Sequence, residues 1–352
     1  MRDINNIILL IVVGLAVSSI ANANQCPAGM CKGDNDCASS YCMNGAGKTP
    51  NPQGCFYCHV NIPTKKIADG VEMPMAGLGT WTYNNSMAYD AVSKALNLGY
   101  THIDCALGYQ NQKSVGKALK DSKRERSTYF ITSKIPGGLN FSAATASMEL
   151  SLQQLGLDYV DLMLVHFPAA WSGQGGKMLR LEEWRAMEAF QKSGKAKAIG
   201  VSHYCRRHLE DILSINTVPI AVNQVQYHIG MGTEGPNATD DKQFCDEHGI
   251  TYESFSPLCG PCGKDAHMEL ITGKMVTDIG KKYGKSGAQV SLKWQVQQGI
   301  PVIPRSDSVD HLLENIDLFN WKLSEEDMNT LTQSKSPPVA GDGPNSGDCS
   351  VL

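Results

Sequence analysis

Beyond the first two dozen residues, no apolar run reaches the ~20 residues that a membrane-spanning helix needs. The formal net charge of −4 gives no reason to expect a nucleic-acid partner. No strand-to-helix turn carries G-x-G-x-x-G, which argues against a doubly wound dinucleotide-binding sheet. The body of the chain also lacks any metal-ligand spacing or flavin motif. What remains is 352 residues, 42% hydrophobic and 19% charged, enough for one large core or two unequal domains.

Cysteine is the exception to this scarcity. Of the 12 cysteines, Cys26, Cys31, Cys37, Cys42, Cys55 and Cys58 crowd into the first sixty residues. Ahead of them stand Arg2, an apolar run from Ile7 to Val17, and the small-residue site Ala21-Asn22-Ala23. Residues 1–23 therefore read as a secretory signal peptide, with an uncleaved membrane anchor as the alternative. Residues 24–58 then follow C-x4-C-x5-C-x4-C-x12-C-x2-C amid Gly, Asp, Asn and Ser. So short a stretch buries little core, and a small disulfide-rich module is the expectation, with a zinc site as the competing reading. Its connectivity and its partner stay open. Sequons at Asn84, Asn140 and Asn237 agree with a secreted or endomembrane-lumen glycoprotein. Cys349-Ser350-Val351-Leu352 matches a prenylation box, which needs the cytosol and conflicts with a signal peptide.

From His59 the texture changes. Lys65 to Met73 reads as a hairpin turning at Asp69-Gly70, expected as type I′. Strand-like runs follow near 75–81, 101–106, 129–135, 159–166, 197–203, 220–226, 251–257 and 301–305, separated by amphipathic helical segments. Eight βα repeats over this length predict an α/β fold, a (β/α)8 TIM barrel over 59–335, before an irregular Pro, Gly and Ser-rich tail over 336–352. Asp104, Tyr109, Lys134 and His166 each fall at or just past the C-terminal end of a predicted strand, the face where such barrels do their chemistry. An acid, a cation and an imidazole around one phenol suit reduction of a carbonyl. Hydride addition leaves charge on oxygen, and a phenol whose anion is favoured by an ammonium supplies the proton. Tyr109 is the expected general acid, Lys134 its tuning cation, Asp104 the anchor of Lys134, and His166 the orienting group.

The stretches Gly77-Leu78-Gly79-Thr80-Trp81, His102-Ile103-Asp104 with Tyr109 and Asn111, Leu155 to Leu162 leading to His166, Gly200-Val201-Ser202, Asn223-Gln224-Val225, Ser256-Pro257-Leu258 and Ile303-Pro304-Arg305-Ser306 with Glu314-Asn315 resemble the aldo-keto reductases in order and spacing. The resemblance covers residues 60–335 and matches the four strand-end residues to that family's catalytic tetrad. It implies an NADP-dependent oxidoreductase acting on CH-OH groups, with an aldehyde, ketone or aldose as substrate, and a monomer. It implies cofactor contacts from Ser202, His203 and Gln224 to the carboxamide, from Phe255, Thr80 and Trp81 around the nicotinamide, and from Ser256 and Leu258 in the following loop. Arg305, Ser306, Glu314 and Asn315 would hold the adenosine end. His203 stands where the family usually has Asn, and Phe255 where it usually has Tyr. His311 replaces a usual Arg and Asp307 adds a carboxylate, so NADPH is expected with NADH as the alternative. Trp81, Phe167 and Trp171 would line the substrate pocket. Cys259-Gly260-Pro261-Cys262 has the form of a redox-active C-x-x-C in the wrong setting for a thioredoxin. Two other readings therefore stand beside the reductase: a secreted binding protein on a catalytically silent barrel, and a redox-regulated protein acting through Cys259 and Cys262.

Overall fold

The computed structural model describes residues 61–231, 241–259 and 264–337, and the backbone of two short strands, β1 (Met30–Cys31) and β2 (Phe56–Tyr57). The expected signal peptide, most of the cysteine-rich module, Asn237, Cys262 and the tail from residue 338 with Cys349 lie outside the described residues. The chain divides into two compact units, Met1–Cys58 and His59–Leu352. In the first, β1 and β2 pair antiparallel, with Met30 opposite Tyr57 and Cys31 opposite Phe56.

The second unit opens with a hairpin of β3 (Thr64–Ala68) and β4 (Val71–Pro74). Gly70 has φ +70°, but Asp69 is not left-handed, so the turn is not the expected type I′. A register shift between Lys66 and Ala68 takes up the difference.

Seven parallel strands then run in sequence order: β5 (Leu78–Gly79), β6 (His102–Asp104), β7 (Phe130–Ile135), β8 (Val160–Val165), β9 (Ala196–Ser202), β10 (Val222–Gln226) and β11 (Thr251–Phe255). Every residue of β7, β8 and β10 is buried. Both faces of a parallel sheet are covered when helices carry the crossovers, so the polar residues of β7 (Thr132, Ser133, Lys134) and β10 (Asn223, Gln224, Gln226) are buried along with the apolar ones. Among those helices, α1 (Asn85–Asn97) and α3 (Phe141–Leu155) pack against α2 (Gln112–Asp121), and α4 (Lys177–Lys192) packs on β9. Asn84 and Asn140, both sequon residues, are helix N-caps whose side-chain oxygens accept from the Met87 and Ala143 N–H groups at 2.9 Å.

The run at 301–305 closes the barrel without forming a ladder of its own. Val302 makes isolated parallel bridges to Ala76 and to Ser254. Pro301 and Pro304 have no N–H to donate, so only the carbonyls and the two residues between them take part. Gly77, Ser254 and Gly79 donate to the carbonyls of Val302, Pro301 and Pro304, at 2.9, 2.8 and 3.1 Å. Closure also explains Gly79, where a Cβ would stand 2.8 Å from the Ile303 carbonyl oxygen. Cys105 and Cys245 are buried, and Cys205 and Cys259 are disulfide-bonded.

The barrel buries titratable groups with opposite pH consequences. Burial pushes His102 and His228 down to about 4 and His203 to about 3, and holds His166 well below the ordinary imidazole value. Below ~6.5, the unfolded chain takes up protons at these four positions that the folded chain refuses, so stability falls as pH drops. Burial pushes Glu183 and Glu253 up to about 8. From ~4.3, where an unfolded Glu ionises, up to that value, the folded chain holds two protons the unfolded chain has released. These two groups therefore lose stability as pH rises. Four histidines outweigh two glutamates on the acid side, and the glutamates act alone above ~6.5. Thermal unfolding across pH 5 to 8 is expected to show a maximum Tm near ~6.5 with a decline on both sides; a Tm rising steadily to pH 8 would contradict these assignments.

Candidate active site

Lys134, the fifth residue of β7, is wholly buried, and its ammonium lies 2.5 Å from Asp104 Oδ1 at the end of β6. The register that sets Asp104 beside Thr132 brings the two side chains together in the barrel interior. A charged pair out of water is tolerated only when each charge is met at close range. Asp104 is doubly met, because its Oδ2 also accepts from the Gln224 amide at 2.9 Å. Burial works against the charge of Lys134, yet Asp104 and the Tyr109 hydroxyl more than compensate and hold its ammonium above the ordinary lysine value.

Tyr109 enters from a short 3-10 turn, Leu107–Tyr109, that follows β6. Its hydroxyl oxygen is 3.2 Å from Lys134 Nζ. Sequence reasoning expects Lys134 to make this phenol a better acid. In the folded protein burial dominates and pushes Tyr109 up to about 12, with Lys134 pulling the other way. The physical reason is that Asp104 already cancels most of the ammonium charge in a dry site. The phenol is thus a protonated donor at neutral pH.

His166 follows β8 directly, its ring meeting Tyr109 edge-on at 5.4 Å and stacking on Phe167 at 4.5 Å. With its pKa held down by burial and then by Lys134, it is a neutral imidazole. His203 follows β9 with φ +62°, an unusual backbone for a residue with a side chain. Its Nδ1 lies 3.0 Å from the His166 carbonyl and 2.9 Å from Ser202 Oγ. A carbonyl only accepts, so Nδ1 carries the hydrogen and Nε2 is the acceptor. The His203 ring lies 4.4 Å from Phe167 and 4.5 Å from Phe255, forming an aromatic wall across three strand ends. Trp171 meets Phe167 at 5.6 Å, and both Trp171 (68%) and Trp81 (50%) are exposed, as rim residues must be to meet a ligand.

Thr80 is tied to β6, its N–H and hydroxyl both donating to the Asp104 carbonyl, at 3.1 and 2.9 Å. Asn111, part of the sequence motif but not among the expected site residues, donates from Nδ2 to the carbonyls of Thr80 and Tyr83, at 2.9 and 3.0 Å. It fixes the loop that carries Trp81. After β11, Ser256 (φ +46°) and Cys259 (φ +52°) are both left-handed, and the Leu258 carbonyl accepts from His267 at 2.6 Å. Two such residues in one short loop mark a conformation that its surroundings impose.

The residues expected at the adenosine end are drawn into local contacts. The Arg305 guanidinium donates to Thr82 Oγ1 and lies over the Tyr83 ring, 5.3 Å from its centroid. Ser306 Oγ accepts from the Ser308 N–H at 3.2 Å, and Glu314 accepts from Ser286 Oγ at 2.8 Å. Asn315 is buried. Lys94, which sequence reasoning passed over, donates to the Asp307 backbone carbonyl at 2.9 Å. Glu253 was also passed over. It sits opposite Gln224 in the β10–β11 register and accepts from the same amide nitrogen at 2.9 Å. A Glu at the centre of the strand-like run Thr251–Phe255 was the available signal.

The aldo/keto reductase family model matches residues 75–335. The glyoxal reductase of Bacillus subtilis is 36% identical over 286 residues, covering 80% of this chain and 96% of its own length. The methylglyoxal reductase of Escherichia coli K12 is 32% identical over 280 residues, with 80% and 96% covered. A solved aldo-keto reductase complexed with NADPH superposes with a TM-score of 0.71 at 31% identity, over 78% of this chain and 89% of that one. A match that runs through nearly the full length of such proteins, on a barrel whose strand ends meet at one buried ion pair, leaves a single conclusion: this chain belongs to the aldo-keto reductase family.

Proposed function

We propose that the barrel reduces the carbonyl of a small aldehyde or ketone with NADPH, and that Tyr109 delivers the proton. The observation that carries this reading is the Tyr109 hydroxyl held 3.2 Å from a lysine that is itself pinned at 2.5 Å by Asp104. The residues fit the cofactor by their chemistry. Gln224 and Ser202 are buried polar groups paired on the neighbouring strands β10 and β9, the half-buried Phe255 offers a ring face, and Arg305 offers the planar fork that suits a phosphate. Bound NADPH supplies the hydride for the carbonyl carbon.

The chain's own groups do the rest. Tyr109 and the neutral His166 take the carbonyl oxygen between them by hydrogen bonds, polarising it. As charge builds on that oxygen, the Tyr109 O–H bond breaks, its proton passes to the oxygen, and Lys134 stabilises the phenolate left behind. Asp104 keeps Lys134 charged and in place, and the phenolate regains a proton from solvent. Trp81, Phe167 and Trp171 exclude water from one side of the reacting carbonyl. The names of the glyoxal and methylglyoxal reductase relatives, together with this compact aromatic rim, favour short aldehydes over long sugars as substrates.

For location, the opening apolar run and the crowded cysteines favour a secretory or endomembrane-lumen protein. Disulfide-bonded Cys205 and Cys259 favour an oxidising compartment as well. N-terminal sequencing of the protein purified from its host is expected to begin at Asn24, and an intact Met1 would remove this part of the proposal.

Two substitutions test the chemistry. Tyr109→Phe is expected to lower kcat for methylglyoxal reduction by ~10²–10⁴-fold while NADPH still binds, as read by stopped-flow and by fluorescence titration; turnover at the native rate would exclude Tyr109 as the acid. Arg305→Ala is expected to weaken NADPH binding by ~10-fold or more, the loss of a charge-assisted hydrogen bond, and to leave NADH affinity unchanged. Equal weakening of both would show that Arg305 does not read the phosphate.

A further inference from the structure

We infer that Glu253 is a positioning residue for the nicotinamide site: its carboxyl and that of Asp104 clamp the two N–H groups of Gln224, so that Gln224 presents only its oxygen to the cofactor carboxamide. The inference rests on the reading of the barrel as a nicotinamide-dependent reductase and names how one of its contacts is made selective.

Gln224 and Glu253 are direct partners in the parallel register of β10 and β11, and both are buried, at 1% and 0% exposure. Gln224 Nε2 donates to Glu253 Oε2 at 2.9 Å and to Asp104 Oδ2 at 2.9 Å. An amide nitrogen has two hydrogens, and both are then in use. Turning the amide over would set its oxygen against the ionised Asp104 carboxylate, which can only accept, and would take the donor away from Glu253 Oε2, so the orientation is decided by its surroundings. Of the amide's polar atoms, Oε1 is the one these contacts do not hold, and it can only accept. The complementary feature of a nicotinamide carboxamide is its N–H.

The charge state of Glu253 follows from its setting. Asp104 faces it from β6, Lys134 from β7 and Gln224 from β10. Lys134 and Asp104 already neutralise each other at 2.5 Å. An ionised Glu253 would add a buried negative charge with no cation of its own, and its Oε1 has no hydrogen-bond partner among the described residues. Burial first, and then Asp104, push its carboxyl up to about 8. At neutral pH it therefore stands as an un-ionised acid, able to accept from Gln224 without unsettling the lysine that Tyr109 depends on.

The test compares binding of NADPH with that of its reduced 3-acetylpyridine analogue, whose methyl ketone has an acceptor but no N–H. Isothermal titration is made on the full chain and on Glu253→Gln and Glu253→Val. The native protein is expected to prefer NADPH by ~10-fold, the value of one hydrogen bond plus an unpaired acceptor. Glu253→Gln keeps an acceptor for Gln224 and should keep that preference. Glu253→Val frees the amide to rotate and should cut the preference to ~2-fold. An undiminished preference in Glu253→Val, or none in the native protein while NADPH binds, overturns the inference and leaves the reductase reading standing. No NADPH binding by the native protein overturns both. The comparison in the native protein does not depend on the valine variant folding: equal binding of NADPH and the analogue overturns the inference by itself.

Discussion

The buried pair of Lys134 and Asp104 is the interaction on which the rest of the site depends. An ammonium with no exposure to solvent is sustained only by an anion at contact distance, and Asp104 stands at 2.5 Å. Once the pair is fixed, its neighbours have little freedom. The Asp104 backbone anchors Thr80, its second carboxylate oxygen anchors Gln224, and the Lys134 ammonium sets where the Tyr109 hydroxyl can rest. Removing either ion would leave the other stranded in the barrel, so the pair is costly to break even where its net contribution to folding is small.

The barrel supplies the precision this pair needs. Its strand ends come from seven segments spread over some 180 residues, and closure requires two proline-flanked residues to bridge the first and last strands. The prolines limit how far that pairing extends, which leaves residues 303–306 free of a ladder and able to place Arg305 at the rim. The glycine that lets β5 approach Ile303 and the arginine two residues further on are thus parts of one arrangement.

Electrostatics and aromatic packing divide the work around the mouth. On one side Lys134, Asp104, Gln224 and Glu253 form a continuous polar chain with one net charge of each sign. On the other, Phe167, His203 and Phe255 form a wall in which His203 is a neutral ring hydrogen-bonded to the His166 backbone. The substitution of His for the family's usual Asn therefore costs little polar matching, because Nδ1 is satisfied within the protein and Nε2 remains as an acceptor.

The alternation of strand-like and helical segments determined the βα rhythm, although β7 (Phe130–Ile135) and β10 (Val222–Gln226) are about half polar and were legible by their place in the repeat rather than by hydrophobicity alone. Asp104, Lys134 and His166 were legible because each stands at or beside the end of a strand, and Tyr109 because it follows Asp104 by five residues in the loop after β6. Three things were decided only in the folded barrel. Which groups neutralise which depends on lateral register between strands, so the Gln224–Glu253 contact could not be read from segments 29 residues apart. The eighth strand's reduction to a bridge depends on how prolines meet the closing seam. The direction in which Tyr109 shifts depends on burial outweighing a cation already partnered by Asp104, and burial is a property of the assembled core that no local stretch of sequence carries.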